Sequence, residues 1–474
     1  MKVILLNGNT EESVKKRIQI VASAGNLSRS SGTVTEVYER HTDYESNLRL
    51  ASAIVGYGHK SIAEHDYLVF ALEDVTPIVE QTLIGYRLTS FTIKSRRNVD
   101  FRSVGFYVPD FKDNEGNILK NNEDLKIRYT NYMQSLFNKY GELVDEELPI
   151  EDCRYILPYS YFSNIIMGCD AHELVRITSD LLYGKLSKID ELKEVGTRFY
   201  NIIKEYVPYL VKYLEKEKNK SYYEDAFTYL DELVNKDNCT LLNKVNLTNY
   251  DKDSENVILR NIIMSRYQMT SKESNKILEE LSKKDSKFKE KLMNSLISSK
   301  FQREMEQVSF SFEMPISLAS LTHITRHRTH SLITPDFVPI WNLDNKITPE
   351  SIKNTHLEEY NNIFKLNKEE FLYFKNEGVR DEDLVYFYLS GSACNIYTTM
   401  NGRTLEWISR MRCCTKAQWE IRGLMNECVE LVKKVFPLYS KCLGPTCEVE
   451  GYCPEGKDSC KLRGVVIKRK EDKK

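Results

Sequence analysis

The stretch EDCRYILPYSYFSNIIMGCDAHEL, residues 151–174, returns later in the chain as EDLVYFYLSGSACNIYTTMNGRTL, residues 382–405, at an offset of 231 residues. A second pair of similar segments, residues 63–91 and 305–332, repeats at an offset of 241 to 242 residues. A nearly constant offset over two segments predicts a tandem duplication. Because identity within each pair is low, the alternative interpretation is an amphipathic pattern shared without duplication.

The two copies, called repeat one and repeat two below, predict an α+β fold. In each, strand-like alternation, at residues 67–72 and 308–312, precedes a short helix, and long helices follow. We therefore expect two tandem α/β domains, each with a small antiparallel sheet and long helices, plus a short Cys-rich turn at the C-terminus. The expected bounds are 1–214 for the first domain, 215–255 for a linker, 256–440 for the second domain and 441–474 for the Cys-rich tail.

The last long helix is expected from about residue 416 to residue 436, with Pro437 ending it. Its apolar side chains recur at three- and four-residue spacing, which predicts one buried stripe. The residues of that stripe are Ile421, Leu424, Met425, Cys428, Leu431, Val432 and Val435.

Composition describes an ordinary globular protein of two or three domains. The chain has 474 residues, 41% of them hydrophobic, and 67 basic against 69 acidic side chains leave a net charge of −2. Such a balance gives no global basic field for nucleic acid. The opening residues MKVILLNGNT hold an apolar run too short for a signal peptide or a membrane span. We therefore expect a cytoplasmic protein whose chain opens on a strand.

Four of the eleven cysteines crowd the C-terminus as Cys442, Cys447, Cys453 and Cys460, with glycines and prolines turning the chain between them. Four thiols within nineteen residues predict a structural zinc site. Thiols outside any metal site, disulfides or an iron–sulfur cluster are the alternatives, since the spacing matches no paired CxxC pattern. The other seven cysteines are scattered among helical or apolar segments, which is typical of reduced core thiols.

Arg326, His327 and Arg328 form the most chemically informative triplet of the chain. Guanidinium groups bind phosphate and carboxylate oxygens bidentately, and an imidazole between them can stack or titrate near neutrality. A solvated basic turn is the alternative, because short motifs often match by chance.

The surrounding motifs resemble those of the flavin-dependent thymidylate synthases, the ThyX family. Repeat one holds Gly58-His59-Lys60-Ser61 with Glu64-His65, then Ser95 and Arg97, then Glu151, Arg154 and Leu157-Pro158. Repeat two holds Arg326-His327-Arg328, then Asn401 and Arg403, then Arg412 and the run AQWEIR, residues 417–422. The resemblance thus covers both repeats, with the family's motifs divided between them.

The motifs that each repeat lacks are present in the other. In repeat one the triplet is Gly85-Tyr86-Arg87, and in repeat two Asp336, Val338, Val385 and Phe301 stand where repeat one has Ser95, Arg97, Arg154 and His59. Members of the family are tetramers whose sites draw on several subunits. The resemblance therefore implies one composite site from both repeats, a second site that has decayed, and a homodimeric chain forming a tetramer-like assembly.

The resemblance also implies a reaction: methylation of dUMP to dTMP with methylenetetrahydrofolate and reduced FAD, with NADPH as the reductant. Arg412 would be the catalytic residue, beside the pyrimidine, and would bind dUMP with Ser95, Arg97 and Arg154. FAD would be bound by His59, Ser61, Glu64, Arg326, His327, Arg328, Asn401 and Arg403. Positive charge from arginine suits a uracil ring that gains anionic character in the transition state.

Structural roles are the alternative for several of these residues. Glu64 and His65 would then be polar groups at a sheet edge, and Arg154 a capping or ion-pair arginine on an amphipathic helix. Trp419 and Ile421 are expected in the core. Asp336, separated from Arg328 by seven residues, carries a charge that would repel a phosphate.

Three functional hypotheses follow from the sequence. The leading one is a duplicated flavin-dependent thymidylate synthase. The second is a non-catalytic or altered-substrate protein that binds nucleotide or flavin, which the divided motifs favour and Arg412 with the intact AQWEIR run disfavours. The third is a nucleic-acid factor docking through its Cys-rich tail and basic end, which the neutral overall charge disfavours.

Overall fold

A computed structural model describes residues 1–218, 230, 234, 240–297, 299 and 302–460 of the chain. Phe301, Cys239 and the basic end at residues 467–474 lie outside the described residues, as does part of the expected linker. By its internal contacts the chain forms two compact units. Unit one is bounded by Met1–Cys239, Phe337–Asp344 and Thr348–Ser392, and unit two by Thr240–Asp336, Asn345–Ile347 and Ala393–Lys474.

Each unit holds one four-stranded antiparallel sheet. The strands of unit one are β1 (Lys2–Leu5), β2 (Tyr67–Val75), β3 (Thr89–Ile93) and β4 (Ser163–Asp170). Those of unit two are β5 (Asn246–Tyr250), β6 (Ser309–Ser317), β7 (Ser331–Ile333) and β8 (Ala393–Asn401). The orders are β1-β2-β4-β3 and β5-β6-β8-β7, so both sheets have the same topology. This agreement confirms the predicted duplication and the α+β class.

Strand register repeats as well as strand order. In unit one Tyr67 pairs with Asp170, and in unit two Ser309 pairs with Asn401. In β2 buried positions alternate with exposed or half-buried ones as the sequence predicts, with Leu68, Phe70 and Leu72 fully buried. The expected alternation does not hold in β6, where seven of the nine positions are buried. A one-residue slip in β2 would turn its apolar set to solvent, so the pattern fixes the register.

Helices surround both sheets. Before the second sheet they are α1 (Glu11–Leu27), α2 (Val34–Arg40), α3 (Tyr44–Gly56), α4 (Pro77–Ile84), α5 (Asn122–Asp145), α6 (Ile150–Cys153), α7 (Ala171–Tyr183), α8 (Asp190–Tyr206) and α9 (Val211–Glu217). The later helices are α10 (Ser254–Tyr267), α11 (Ser271–Lys284), α12 (Phe288–Ile297), α13 (Leu318–Thr325), α14 (Glu350–Thr355), α15 (Leu357–Asn376), α16 (Asp381–Leu384), α17 (Gly402–Arg412), α18 (Trp419–Val435) and α19 (Thr446–Val449).

Short 3-10 helices lie at Lys60–His65, Arg154–Ile156, Lys185–Lys188, Pro208–Leu210, Arg303–Gln307, Val385–Phe387, Tyr439–Cys442 and Gly456–Asp458. None of the helices in the described residues is both long and apolar enough to cross a membrane.

The helix predicted from about residue 416 begins three residues later, at Trp419. The reason is a cap: the Gln418 side-chain oxygen accepts hydrogen bonds from the backbone N–H groups of Glu420 and Ile421 at 3.0 and 3.1 Å. Five residues of the predicted stripe are buried: Ile421, Leu424, Met425, Cys428 and Val432. The burial of Ile421 confirms its expected core position.

Unit one contains long helices from both repeats, because α5 of repeat one and α15 of repeat two belong to it. An aromatic cluster joins them, with ring centroids of Phe111 and Phe374 4.9 Å apart and those of Tyr129 and Phe387 5.5 Å apart. The compact units therefore do not coincide with the repeats. The predicted domain bounds at residues 214 and 256 concern the repeats and stay a prediction.

The segments that follow these helices meet by a pseudo-twofold exchange. The backbone N–H of Tyr159 donates to Tyr388 O at 2.7 Å, and that of Ser390 donates to Leu157 O at 2.9 Å. Tyr388 and Ser390 lie 231 residues after Leu157 and Tyr159, so swapping the repeats maps one hydrogen bond onto the other. Self-complementary contacts of this kind are typical of a twofold dimer interface.

Two ion pairs between α5 and α15 obey the same symmetry with unequal charges. Arg128 binds Glu370 through two hydrogen bonds of 2.8 Å, and Lys139 pairs with Glu359. At the offset of 231, Arg128 corresponds to Glu359 and Lys139 to Glu370. Repeat one thus supplies both cations and repeat two both anions.

Candidate active site

The Arg326-His327-Arg328 triplet directly follows α13, whose C-cap is Arg326. The His327 backbone N–H donates to Ile324 O at 3.0 Å and closes the last turn. The C-terminal end of a helix carries partial negative charge, which stabilises the two guanidinium groups there. Arg326 and Arg328 are exposed on either side of the buried His327. The triplet therefore presents two cationic forks at the surface of unit two.

His327 contacts Arg412, the last residue of α17. The Arg412 Nε–H donates to His327 Nε2 at 2.8 Å, so this imidazole nitrogen is the acceptor. Burial, the Arg412 charge and the neighbouring His330 and Arg326 lower the pKa of His327 to about 3. Because a buried ring beside cations stays neutral, titration near neutrality, one of the two uses that the sequence offers for this histidine, is disfavoured. His327 instead orients the Arg412 guanidinium.

Asn401 and Arg403, both predicted to bind FAD, start α17. The Asn401 side chain caps the helix, accepting from the Thr404 backbone N–H at 2.8 Å. Arg403 donates to Glu306 Oε1 at 2.6 Å, and its side chain is 40% exposed. Both residues thus have a structural contact, and the Arg403 guanidinium keeps a surface open to solvent.

His59, Ser61 and Glu64 lie at the 3-10 helix Lys60–His65 of unit one, and all three are exposed. The Glu64 Oε1 atom lies 3.3 Å from His172 Nδ1, within hydrogen-bond distance. His172 lies 231 residues before Arg403, and Glu64 lies 242 before Glu306. The Glu64–His172 contact is therefore the repeat-one counterpart of the Glu306–Arg403 ion pair.

Arg97 and Arg154 both contact Glu151, and Ser95 contacts Arg97. The Arg97 Nε–H donates to Glu151 Oε2 at 2.6 Å, and the Arg154 Nε–H donates to Glu151 O at 3.0 Å. Ser95 Oγ accepts from the Arg97 backbone N–H at 3.3 Å and from Asn98 Nδ2 at 3.2 Å. The structure thus brings together all three residues that sequence comparison assigns to dUMP within unit one.

Arg154 is a buried cation. Its side chain is 2% exposed, and its Nη2 has no hydrogen-bond partner among the described residues. Burial lowers the pKa of Arg154, and the nearby Arg96 lowers it further. A guanidinium nitrogen buried without a partner is costly, so this position favours an anionic ligand.

Sequence comparison missed a buried ion pair beside this arginine. Arg96 donates to Glu80, which is fully buried, and Arg96 itself is 6% exposed. The next residue, Arg97, matches a family motif, whereas Arg96 matches none, so motif comparison did not select Arg96. Glu80 sits in the apolar helix α4, and a carboxylate in such a helix is the signal that indicates a buried partner.

A second pair of missed residues supports the helices that lead into the triplets. Glu420, within the AQWEIR run, accepts from Ser317 N at 2.7 Å and Ser317 Oγ at 2.6 Å. Glu191 in unit one accepts from Thr76 N at 2.9 Å and Thr76 Oγ1 at 2.6 Å. Each carboxylate therefore fixes the N-terminus of the helix, α13 or α4, that precedes a triplet. The segment Asp190-Glu191-Leu192 of repeat one matches Trp419-Glu420-Ile421 of repeat two. This match is the sequence signal that could have identified both glutamates.

The repeat-one counterpart of His327 is Tyr86, whose hydroxyl donates to Asp180 Oδ2 at 3.0 Å. The position matching Arg412 is the buried Leu181. Burial and then the Asp180 carboxylate raise the pKa of Tyr86. Where unit two has an imidazole and a guanidinium, unit one has a phenol and a carboxylate, which does not attract an anion.

The tail cysteines do not form the predicted zinc site. Cys442 is fully buried, and its Sγ donates to Tyr439 O at 2.9 Å, whereas Cys447, Cys453 and Cys460 are half-buried. Among the described residues, no group of three or more His, Cys, Asp and Glu side chains is placed to hold a metal ion. The structural zinc expected on Cys442, Cys447, Cys453 and Cys460 is therefore not supported.

Comparison with known proteins accords with the duplicated fold. The family model described as "Thymidylate synthase complementing protein" matches residues 11–209 and again residues 246–438. A flavin-dependent thymidylate synthase of Clostridium tetani is 35% identical over 193 residues, which are 36% of this chain and 76% of that protein. One from Geobacter sulfurreducens is 29% identical over 157 residues, 33% of this chain and 64% of that protein.

Two solved structures are also similar at low identity. One is thymidylate synthase X from Helicobacter pylori with FAD and dUMP, 16% identical, covering 46% of this chain and 100% of that chain with a TM-score of 0.34. The other is a UMP/dUMP methylase, PolB, from Streptomyces cacaoi bound with 5-Br dUMP, 13% identical, covering 43% and 94% with a TM-score of 0.34. On the strength of the two family-model matches and the Clostridium tetani relative, the chain belongs to the Thy1 family, that of the flavin-dependent thymidylate synthases, and contains its fold twice.

Proposed function

We propose that the chain is an FAD-dependent thymidylate synthase that methylates dUMP with methylenetetrahydrofolate, using one working set of residues drawn from both repeats. Family membership supports the reaction, since the relatives bear this activity in their names. The division of the motifs supports the shared set, since repeat one keeps one half and repeat two the other.

The observation that carries this proposal is Arg154. A buried cation with an unsatisfied Nη2 needs an anion, and dUMP brings a phosphate. Arg97, which shares Glu151 with Arg154, offers a second guanidinium, and Ser95, next to Arg97, offers a hydroxyl. In the proposal these three side chains hold the nucleotide of the substrate. The Glu151 carboxylate keeps Arg97 in place before the phosphate arrives.

Arg412 is proposed as the catalytic residue. Its guanidinium is half-buried, and its Nε–H donates to His327, which fixes the direction of the planar fork. A fixed positive charge at the uracil ring stabilises the anionic character that develops there. Because His327 is neutral, it restricts the side-chain conformation of Arg412 without electrostatic repulsion between the two groups.

The residues proposed to bind FAD include three arginines, Arg326, Arg328 and Arg403. The other members of the proposed set are His327, Asn401, His59, Ser61 and Glu64. The donor set suits the group, because exposed guanidinium forks match the oxygens of a diphosphate. Bound and reduced, FAD supplies the hydride. Asn401 fixes the start of α17, and Glu306 holds the Arg403 guanidinium in position.

NADPH as reductant, a homodimer of chains in a tetramer-like assembly and a cytoplasmic location complete the proposal. The twofold exchange of backbone hydrogen bonds within unit one supports a dimer-like relation of the repeats. Thiols at all ten described cysteines are typical of a reducing compartment.

Tritium release from 5-tritiated dUMP tests the proposal. The full chain is assayed anaerobically with FAD, NADPH and methylenetetrahydrofolate beside two variants, Arg412→Ala and the control Arg176→Ala, an exposed arginine of repeat one. We expect release from the parent and the control, and a loss of at least about 100-fold in Arg412→Ala. No release from a parent chain that binds flavin would contradict the proposal and favour a non-catalytic or altered-substrate protein.

A further inference from the structure

The buried ion pair of unit one lies next to the residues proposed to bind the phosphate of dUMP. Arg96 separates Ser95 from Arg97 in the chain, and its side chain is buried whereas those two residues are half-buried. Arg96 Nη1 donates to Glu80 Oε2, and Glu80 is fully buried in α4. The turn that carries Ser95 and Arg97 is therefore attached to α4 from the inside.

The Arg96 guanidinium also contacts the segment that carries Arg154. Its Cζ lies 5.5 Å from the ring centroid of Tyr161, which is 1% exposed. At this distance a guanidinium is attracted to the face of the ring. Tyr161 follows Arg154 in the same segment of the chain. Arg96 thus joins three segments: its own turn, α4 through Glu80, and the segment of Arg154 through Tyr161.

The buried groups of this region are incompletely satisfied. Glu80 Oε1 and Arg154 Nη2 are both buried and have no hydrogen-bond partner among the described residues. Burial lowers the pKa of Arg96, whereas the Glu80 carboxylate raises it, and the net direction is upward, so Arg96 stays charged. Buried charges held in this way are costly to the fold, and a ligand is one of the reasons for which a native protein keeps them.

Repeat two carries apolar residues at the positions of this pair. Glu80 is the fourth residue of α4, and the fourth residue of α13 is the buried Leu321. At the offset of 241 residues Arg96 corresponds to Phe337. Repeat two also lacks the serine and the arginines of the phosphate set. Because apolar side chains usually stabilise a core as well as a buried ion pair does, the pair in repeat one indicates a role other than stability.

We propose that Arg96 and Glu80 are positioning residues for the phosphate of dUMP. Their ion pair fixes the turn that presents Ser95 and Arg97 to the phosphate. The same guanidinium keeps that turn next to the segment of Arg154. This role rests on the proposed function, because both residues act through the phosphate-binding set and do not contact the substrate themselves.

Such a role affects the phosphate and not the pyrimidine. A displaced turn weakens the binding of dUMP, but it has little effect on deoxyuridine, which lacks the phosphate. A general loss of structure weakens the binding of both compounds. The ratio of the two dissociation constants therefore separates positioning of the phosphate set from stability.

Two double variants remove the pair without leaving a buried charge. The first is Glu80→Leu with Arg96→Leu, and the second is Glu80→Leu with Arg96→Phe, which introduces the residue types of repeat two. Calorimetry on the FAD-loaded full chain measures both dissociation constants, directly for dUMP and by competition for deoxyuridine. We expect the constant for dUMP to rise at least about tenfold and that for deoxyuridine to stay within about threefold of the parent. In turnover, KM for dUMP should rise while kcat changes little.

The matched control removes another largely buried ion pair of unit one, between Arg380 and Asp383, whose side chains lie 2.8 Å apart. Arg380→Leu with Asp383→Leu should leave the ratio of the two dissociation constants unchanged, whatever its effect on stability. A shift of that ratio as large as the one in the Glu80 and Arg96 variants would overturn the inference.

The remaining outcomes separate this inference from the proposed function. An unchanged constant for dUMP, or equal rises for dUMP and deoxyuridine, in a parent chain that releases tritium would overturn only the positioning role. A parent chain that neither binds dUMP nor releases tritium would overturn both. If neither double variant folds, the pair is required by the fold itself, and the positioning role is rejected.

Discussion

Repeat one and repeat two keep the same scaffold contacts and differ where an anion would bind. Both use a buried glutamate to fix the helix before the triplet, Glu191 with Thr76 and Glu420 with Ser317. Their sheets share strand order and register. Contacts that hold the fold were therefore retained in both copies after duplication.

At the triplets, in contrast, the contacts differ between the two repeats. Repeat two pairs His327 with Arg412, and repeat one pairs Tyr86 with Asp180 at the neighbouring position of the matching helix. Repeat one in turn keeps Arg154, where repeat two has the buried Val385. In the proposed account, each copy could lose one half of the site because the other copy retained it.

The largest expected effect separates function from stability at Arg154. Replacing Arg154 with Leu should lower tritium release at least about 100-fold, because the phosphate loses a buried charge partner. The free energy of unfolding should stay equal or rise, because a buried guanidinium with an unpaired nitrogen is removed. Activity is measured by tritium release and stability by urea unfolding.

The matched control for this change is Val385→Leu in repeat two, which alters the corresponding position. It should leave tritium release within about twofold of the parent. Equal losses in both variants would mean that Arg154 acts through folding and would break the comparison.

A smaller effect is expected at the centre of the triplets. His327→Ala removes the acceptor that orients Arg412 and should lower kcat/KM about 10- to 100-fold. Tyr86→Phe removes the hydrogen bond to Asp180 and should cost about 1.5 kcal/mol of stability with little change in activity. Steady-state kinetics and thermal unfolding of both variants check this asymmetry.

The pH dependence of activity tests the same orienting role of His327. Since the pKa of His327 is lowered to about 3, its protonation should not affect the parent's activity between about pH 5 and 8. An activity loss with a midpoint near pH 6.5 that His327→Ala abolishes would contradict a neutral, orienting histidine.

The next effect concerns the scaffold contact in repeat one. Burial raises the pKa of Glu191 to about 7, against hydrogen bonds from Thr76 and Tyr386 that lower it. The folded protein therefore holds this proton more tightly than the unfolded chain. Its stabilising contribution is complete below about pH 4.5 and is lost as the pH rises through about 7.

Glu191→Gln should remove this dependence. Relative to the parent, the variant should gain on the order of 2 kcal/mol in free energy of unfolding between pH 5 and pH 8. Urea unfolding at the two pH values measures the change. Parallel pH dependence of parent and variant would show that Glu191 does not titrate in this range.

The smallest effect tests the charge asymmetry between α5 and α15. The double change Arg128→Glu with Lys139→Glu places like charges opposite Glu370 and Glu359 and should cost about 1 to 2 kcal/mol, less at high salt. Adding Glu359→Lys and Glu370→Lys should restore most of the loss. Thermal unfolding of the double and quadruple variants decides whether the pairs act together.

Much of the fold was predictable because it depends on local pattern. Alternation predicted β2 and β6, three- and four-residue spacing predicted α18, and the constant offset predicted two equivalent sheets. The start of α18 could not be predicted, because it depends on the Gln418 cap. The grouping of α5 with α15 in unit one could not be predicted either, since it depends on packing between distant segments.

The candidate site was predictable to a different degree. Motif comparison selected Arg97 and Arg154, which both contact Glu151, with Ser95 beside Arg97, and it selected Arg412 and His327, which contact each other. It did not find the neutral state of His327, because that depends on burial and on nearby cations. It also grouped Cys442 with the tail cysteines, because spacing along a chain does not report which thiol enters the core.

The most direct test of the central claim is the number of flavins bound per chain. The full chain is saturated with FAD, freed of excess, and denatured, and the released flavin is measured against protein concentration. One flavin per chain is the result that we predict, lost on changing Arg326 and Arg328 together to alanine. Two flavins per chain would show that repeat one has kept a working cofactor site and would contradict the account.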